Sequence, residues 1–229
     1  MRKRQQKIGQ CIYCGNTRPL TDDHIPPANL FTKPRPNNLI KVPSCFPCNN
    51  GSSKDDEDFR LKIAIREDIA DHPAAKLILP SVLRSLSKPN KKGFTKALVD
   101  SMREFECMTP AGLYIGKGAT YDVNNDRINS VATRIIKGLF YHHKHIRIPE
   151  KYMAISYSMS SFPPERIDND IKSFLSAYAF LTKAPSITIG DNVFSYWYRF
   201  LDDDEHSSMW VFRFFERVDF IGATCLKTR

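Results

Sequence analysis

The chain has 229 residues, 41% of them hydrophobic, which is enough to fill one ordinary domain or a small module joined to a larger one. Lys and Arg number 34 against 25 Asp and Glu, and the formal charge of +9 favours polyanionic partners, nucleic acid first. No run approaches the ~18 apolar residues that cross a bilayer, and the basic start Met1-Arg2-Lys3-Arg4 leads into no apolar segment of a secretory signal, so the expected location is the cytoplasm, with no membrane contact.

Residues 1–10 read as a basic arm. Cys11 and Cys14 then form one Cys-x-x-Cys pair, and Cys45 and Cys48 a second. Each pair offers two thiolates from a tight turn, and two such turns complete the tetrahedron of a zinc site. Gly15 and Asn49-Asn50-Gly51 are the small or turn-forming residues that such knuckles need. A four-thiolate site leaves no position for water, so this Zn²⁺ is expected to hold the fold rather than to catalyse. The bland alternative is two redox motifs or four buried thiols. Cys107 and Cys225 stand alone in apolar surroundings and read as single buried thiols.

Near Lys54 the composition changes. Asp55-Asp56-Glu57-Asp58 suits the first turn of a helix, where negative charge meets the positive end of the backbone dipole. Phe59, Ile63 and Ile69 continue an apolar pattern, a second helix follows Pro73, and a third is expected from Lys91 to about Glu106. Residues 111–123 read as extended. Ile128, Val131, Ile135 and Leu139 follow steps of three and four and predict a helix over 125–142. A strand is expected at 152–157 and an amphipathic helix through Ile171, Phe174, Leu175 and Tyr178. Two aromatic strands, 194–200 and 209–215, joined by the polar stretch 202–208, predict an antiparallel hairpin whose rings serve as core. The run Tyr141-His142-His143-Lys144-His145 follows a helix and reads as its solvated, dipole-satisfying end.

Between the knuckles lies Thr21-Asp22-Asp23-His24-Ile25-Pro26-Pro27, and later Asn37-Asn38-Leu39. Cutting a phosphodiester needs an attacking water, a group to take its proton and a cation to neutralise the transition state. His24 has the residue type for the base, since an ordinary imidazole is largely neutral at cytoplasmic pH. Asp23 and Asn49 offer hard oxygen ligands suited to Mg²⁺ or Mn²⁺. Neighbours on a strand point to opposite faces, so Asp23 and His24 serve one centre only if the strand is bent or ends there; the two prolines fit an ending. Lys33, Arg35, Lys41, Lys54 and Arg60 are candidate phosphate contacts, with surface solvation the default for each. An Asp-His pair before prolines is also an ordinary turn, and Asn49 an ordinary cap.

The order Cys-x-x-Cys, Asp-His-Ile-x-Pro, Asn-Leu, Cys-x-x-Cys-Asn over residues 11–60 resembles the zinc-bearing HNH endonucleases of the ββα-metal superfamily. The resemblance implies a β-hairpin carrying Asp23 and His24 and a helix carrying Asn49. It implies His24 as general base, Asp23 and Asn49 as ligands of the catalytic metal, and a supporting role for Asn38, holding the loop or orienting His24. The central Asn is open between Asn37 and Asn38, because the stretch from Asn38 to Cys45 is longer than the family pattern. The products would carry 5′-phosphate and 3′-hydroxyl ends. The expected class is α+β: a zinc-stapled ββα module at 11–60, then a mixed α+β domain at 61–229 that selects substrate, partner or oligomer, with DNA as substrate, RNA left open and a homodimer compatible. The rivals are a non-catalytic zinc-dependent nucleic-acid-binding module and a protein-interaction scaffold.

Overall fold

The protein is described here from a computed structural model, which covers residues 7–161 and 169–227. Residues 1–6 of the expected arm, and the side chain of Ile171, lie outside the described residues. Residues 8–10 of the expected arm form β1 (Ile8–Gln10), which pairs antiparallel with β2 (Thr17–Ile25), placing Ile8 opposite Pro19. β2 in turn pairs with β3 (Ile40–Cys45), with Leu20 opposite Cys45 and His24 opposite Lys41. β3 runs directly into α1 (Phe46–Gly51), which Pro47 opens in the first-turn position that tolerates a missing N–H. α2 (Ser53–Ala64) follows, with Asp55 and Asp56 in its first turn.

α3 (Pro73–Leu86) starts on a proline, and His72 Nδ1 accepts the N–H of Ala74 at 3.2 Å, satisfying one of the donors that a helix start leaves open. α4 (Lys92–Asp100) ends before residue 103, and β4 (Arg103–Met108) pairs with β5 (Tyr114–Thr120). The helix expected to reach Glu106 therefore stops short. Residues 103–108 pair antiparallel with β5 instead, and Phe105 lies over Gly118, where a β-carbon would meet its ring at 2.7 Å.

α5 (Asn125–Lys144) is capped by Asn124, whose side chain accepts from the N–H of Arg127 at 3.1 Å. Its Ile128, Val131, Ile135 and Leu139 are buried as the periodicity predicts. The remaining elements are β6 (Tyr152–Ser158), α6 (Asn169–Leu181), β7 (Ile187–Ile189), β8 (Phe194–Leu201), β9 (Asp204–Phe214) and β10 (Val218–Leu226). Five strands form one antiparallel sheet in the order β6-β10-β9-β8-β7. The C-terminal hairpin is present, but its turn is tighter than the polar run suggests. Asp204 lies in β9 and organises that end, its carboxylate accepting from Tyr152 Oη, Ser207 Oγ and the N–H of His206.

The class is mixed α+β. α5 packs against the sheet of β1, β2 and β3, against the five-stranded sheet and against α2. One cluster of buried side chains runs from Ile12, Ile25 and Val42 through Ile135 and Leu139 to Phe212, Phe214 and Phe220, so the cysteine-bearing segment and the C-terminal sheet share a core. Residue 60, the expected end of the first module, lies inside α2. The aromatic strand residues Phe194, Tyr196, Trp210, Phe212 and Phe214 are buried, each Phe contributing roughly 1.5–3 kcal/mol of transfer free energy. Cys107 and Cys225 are half-exposed rather than buried. No helix among the described residues is long and apolar enough to cross a membrane.

Candidate functional site

The two Cys-x-x-Cys pairs meet. The sulfurs of Cys11, Cys14, Cys45 and Cys48 lie within 4.8 Å of one another, and Cys14 Sγ to Cys45 Sγ is 3.8 Å. Four thiolates at ~2.3 Å from one tetrahedral zinc stand about 3.8 Å apart, so the donor set fits the ion in both chemistry and spacing. The first knuckle closes through Gly15 N–H to Cys11 O at 2.9 Å, and Gly15 has φ +74°, the left-handed conformation that favours glycine. Burial raises the Cys11 thiol pKa, but backbone N–H groups of Cys14, Cys45 and Tyr13 stabilise its thiolate, and the net effect is a fall to about 6. Cys45 ends β3 and Cys48 lies in α1, so an ion here ties the hairpin to the helix that follows it.

Asn49 comes directly after that ligand. Its Nδ2 donates to Thr21 Oγ1 at 3.0 Å and to Asp22 O at 3.1 Å. The carbonyl of Pro43, the residue opposite Asp22, accepts from Ile12 N and so points away from β2. Asp22 therefore belongs to a non-hydrogen-bonded pair and its own carbonyl points away from β3. β1 pairs only with residues 17–19 of β2, which leaves the edge at 21–25 without a strand neighbour; Asn49 sits on that edge.

The strand keeps its pairing through Ile25, so its side chains alternate without a bend. Asp23 is 5% exposed and points to the α5 side, where its Oδ2 accepts from Tyr13 Oη at 2.7 Å and lies 3.5 Å from Arg134 Nε. Arg134 Nη2 also binds Asp56 Oδ1 at 2.5 Å. His24 takes the other face, which it shares with its cross-strand partner Lys41. Burial lowers the pKa of His24 below the ordinary imidazole value, and Arg35 and Lys41 lower it further.

Asp23 and His24 are thus adjacent in the chain and on opposite faces of the strand, and Asn49 binds the strand edge just before them, at Thr21 and Asp22. Asn38 donates from Nδ2 to Thr188 O at 3.0 Å, holding its loop against β7. Lys33, Arg35, Lys41 and Lys54 are exposed. Arg60 is turned to α3, where its guanidinium donates to Ser81 Oγ and its Nε is buried. Apart from the four cysteines, no three His, Cys, Asp or Glu side chains among the described residues are close enough to share an ion.

Sequence reasoning missed Tyr13, Thr21, Asp56 and Arg134. Arg134 carried a usable signal: it sits beside Ile135 and three residues after Val131, on the apolar stripe of α5, where a charged residue needs a partner. Comparison with protein-family models, curated proteins and solved structures finds no match to this chain.

Proposed function

We propose that the protein is a metal-dependent HNH-type endonuclease acting on DNA, with His24 as general base and Asp23 and Asn49 as ligands of one Mg²⁺ or Mn²⁺. The observation that carries this reading is Asn49 bound to Asp22 O on the open edge of β2. The strand is neither bent at Asp23 nor unpaired before Ile25, so on this reading the two side chains reach one ion around the edge of β2 that no strand covers, and that edge adjoins the zinc knuckle. Asp23 offers Oδ1, since both of its contacts fall on Oδ2. Tyr13 and Arg134 behind it act as the outer partners that orient a ligating carboxylate. His24, kept neutral by burial and by Arg35 and Lys41, is ready to accept the proton of an attacking water. Arg35, Lys41 and Lys33 supply positive charge where a phosphodiester would approach. When bound, the metal would neutralise the transition state and the leaving oxygen.

A second reading rests on the Asp23–Arg134 pair. If Asp23 is only a buried structural acid, the hairpin is a zinc-dependent nucleic-acid-binding module without catalysis. Nicking of supercoiled plasmid with Mg²⁺ and with Mn²⁺, wild type against His24→Ala, separates the two. Cleavage lost in His24→Ala with DNA binding retained supports the nuclease. Equal cleavage by both proteins removes the base assignment, and salt-dependent binding without any cleavage favours the binder.

A further inference from the structure

β4 and β5 pair with each other and with no other strand among the described residues. Within the two strands only Gly118 is buried, and no side chain from 103 to 120 enters either cluster of buried side chains among the described residues. A two-stranded ribbon by itself is marginally stable in water at best. The turn of this one is nevertheless well fixed: Thr109 N–H donates to Leu113 O at 2.8 Å, and Thr109 Oγ1 accepts from Leu113 N–H at 3.0 Å. The side chains that the turn end holds in water are apolar. Leu113 is 69% exposed, Ile115 67%, Met108 54% and Tyr114 52%, and Phe105 follows at 48%. An apolar surface of this kind, held out by an ordered turn, is the mark of an interaction site.

Charge and area decide what covers it. Residues 107–116 carry no charged side chain, in a chain of which 26% is charged. The ribbon's own charges cancel, Arg103 and Lys117 against Glu104 and Glu106, and Lys117 Nζ stands 3.9 Å from Glu104. Nucleic acid has little to hold here, because phosphate contact needs an excess of cations. A second copy fits better. Two chains of +9 repel each other through their basic surfaces and meet with least repulsion where the surface has no net charge. A large apolar or aromatic side chain presents ~150–250 Å², so five that are about half exposed or more offer roughly 500 Å² per copy. A contact that uses the same patch twice then buries about 1,000 Å², the size at which specific interfaces begin. We propose that residues 103–120 form a dimerisation arm, each copy laying the apolar turn end of its ribbon against the same ribbon of a second copy around a twofold axis. This inference stands apart from the nuclease reading, because it uses neither His24 nor the zinc knuckle.

The test is the solution mass of the full zinc-loaded chain, by light scattering on the eluting protein. At about 100 µM, above the micromolar range where interfaces of modest quality dissociate, the mass is expected to be twice the 26.3 kDa of one chain. Ile115→Asp places a charge in the contact twice and should weaken the dimer by about tenfold or more. Leu77→Asp alters a side chain on α3 that is just as exposed, at 67%, and should leave the dimer intact. His24→Ala should dimerise as wild type does, whatever becomes of its nicking. Amide exchange over residues 103–120 should slow as the wild-type concentration rises, while in Ile115→Asp it stays fast. A monomer at that concentration overturns the proposal, and so does a dimer that Ile115→Asp leaves unchanged. A monomer whose DNA binding is lost in Ile115→Asp overturns it too, and gives the ribbon to nucleic acid. Should Ile115→Asp fail to fold, exchange in the wild type decides: a dimer whose ribbon amides exchange at one rate at every concentration refutes the arm.

Discussion

Arg134 Nε lies 3.5 Å from Asp23 Oδ2, and the same guanidinium reaches Asp56 Oδ1 at 2.5 Å. One cation on α5 thus serves a carboxylate on β2, beside His24, and a second on α2. The Arg134 and Asp23 side chains are 10% and 6% exposed, so water screens the pair little. Removing the cation would leave one buried acid, Asp23, and one half-buried acid, Asp56, without this counter-charge. Arg134→Met is expected to destabilise the fold by about 3–5 kcal/mol, measured by urea denaturation. Asp56, whose pKa burial raises and Arg134 holds down, should then titrate higher still. A loss below about 1 kcal/mol would mean that the small sheet is held to α5 by apolar contacts alone.

Zinc should be a folding ligand for the first sheet. The four sulfurs come from the β1–β2 turn, the end of β3 and α1, and nothing covalent joins them without the ion. Elemental analysis is expected to find about one zinc per chain, and Cys11→Ser or strong chelation should lower the melting temperature together with zinc content. A metal-free protein with an unchanged melting curve would show that four thiols suffice.

His24 gives a pH prediction with a definite sign. On the proposed nuclease reading His24 is the base and works in its neutral form, and its environment lowers its pKa from the ordinary 6.5. Nicking should therefore stay at its plateau through neutral pH and decline only at acid pH, below that ordinary value. Burial remains in Lys41→Glu, but one repulsive cation becomes an attractive anion, so its acid limb should move to higher pH. His24→Ala should cut the rate by roughly 10²- to 10⁴-fold at unchanged melting temperature. An acid limb that does not move in Lys41→Glu would place the titrating group elsewhere.

The parts legible in the sequence were those with a local signature. α5 follows a three-four periodicity, and the cysteine pairs meet because thiolate spacing encodes a tetrahedron. Other features depended on partners distant in the chain. β1 is three residues long and exists because β2 offers it an edge. The start of β4 falls within the helix expected to reach Glu106, because its pairing with β5 is invisible to periodicity over six residues. The Asp-His motif named the residues but not their surroundings: Asp23 is fixed by Tyr13, ten positions away, and by Arg134 on a helix beyond four other helices. Asn38 was expected beside His24 or in its loop, and its partner Thr188 lies 150 residues on.

Gly138 tests how closely α5 and β2 must approach. A β-carbon at this position would lie 2.4 Å from Ile25 Cγ1 and 2.5 Å from Cδ1, well inside van der Waals contact. Ile25 is fully buried, next to His24, and ends β2. Two effects oppose each other in Gly138→Ala. Alanine favours a helix interior over glycine by about 1 kcal/mol. Overpacking a dense core costs about 1–3 kcal/mol, and here the colliding atoms include a branch carbon close to the backbone, which cannot swing away freely. The collision should win, giving a net loss of about 1–2 kcal/mol in denaturation. Ile25→Val removes Cδ1, so the double variant should recover part of that loss, with a coupling of roughly 0.5 kcal/mol or more. A Gly138→Ala protein that is more stable than wild type, as helix propensity alone would make it, would show that α5 and β2 can separate at no energetic penalty.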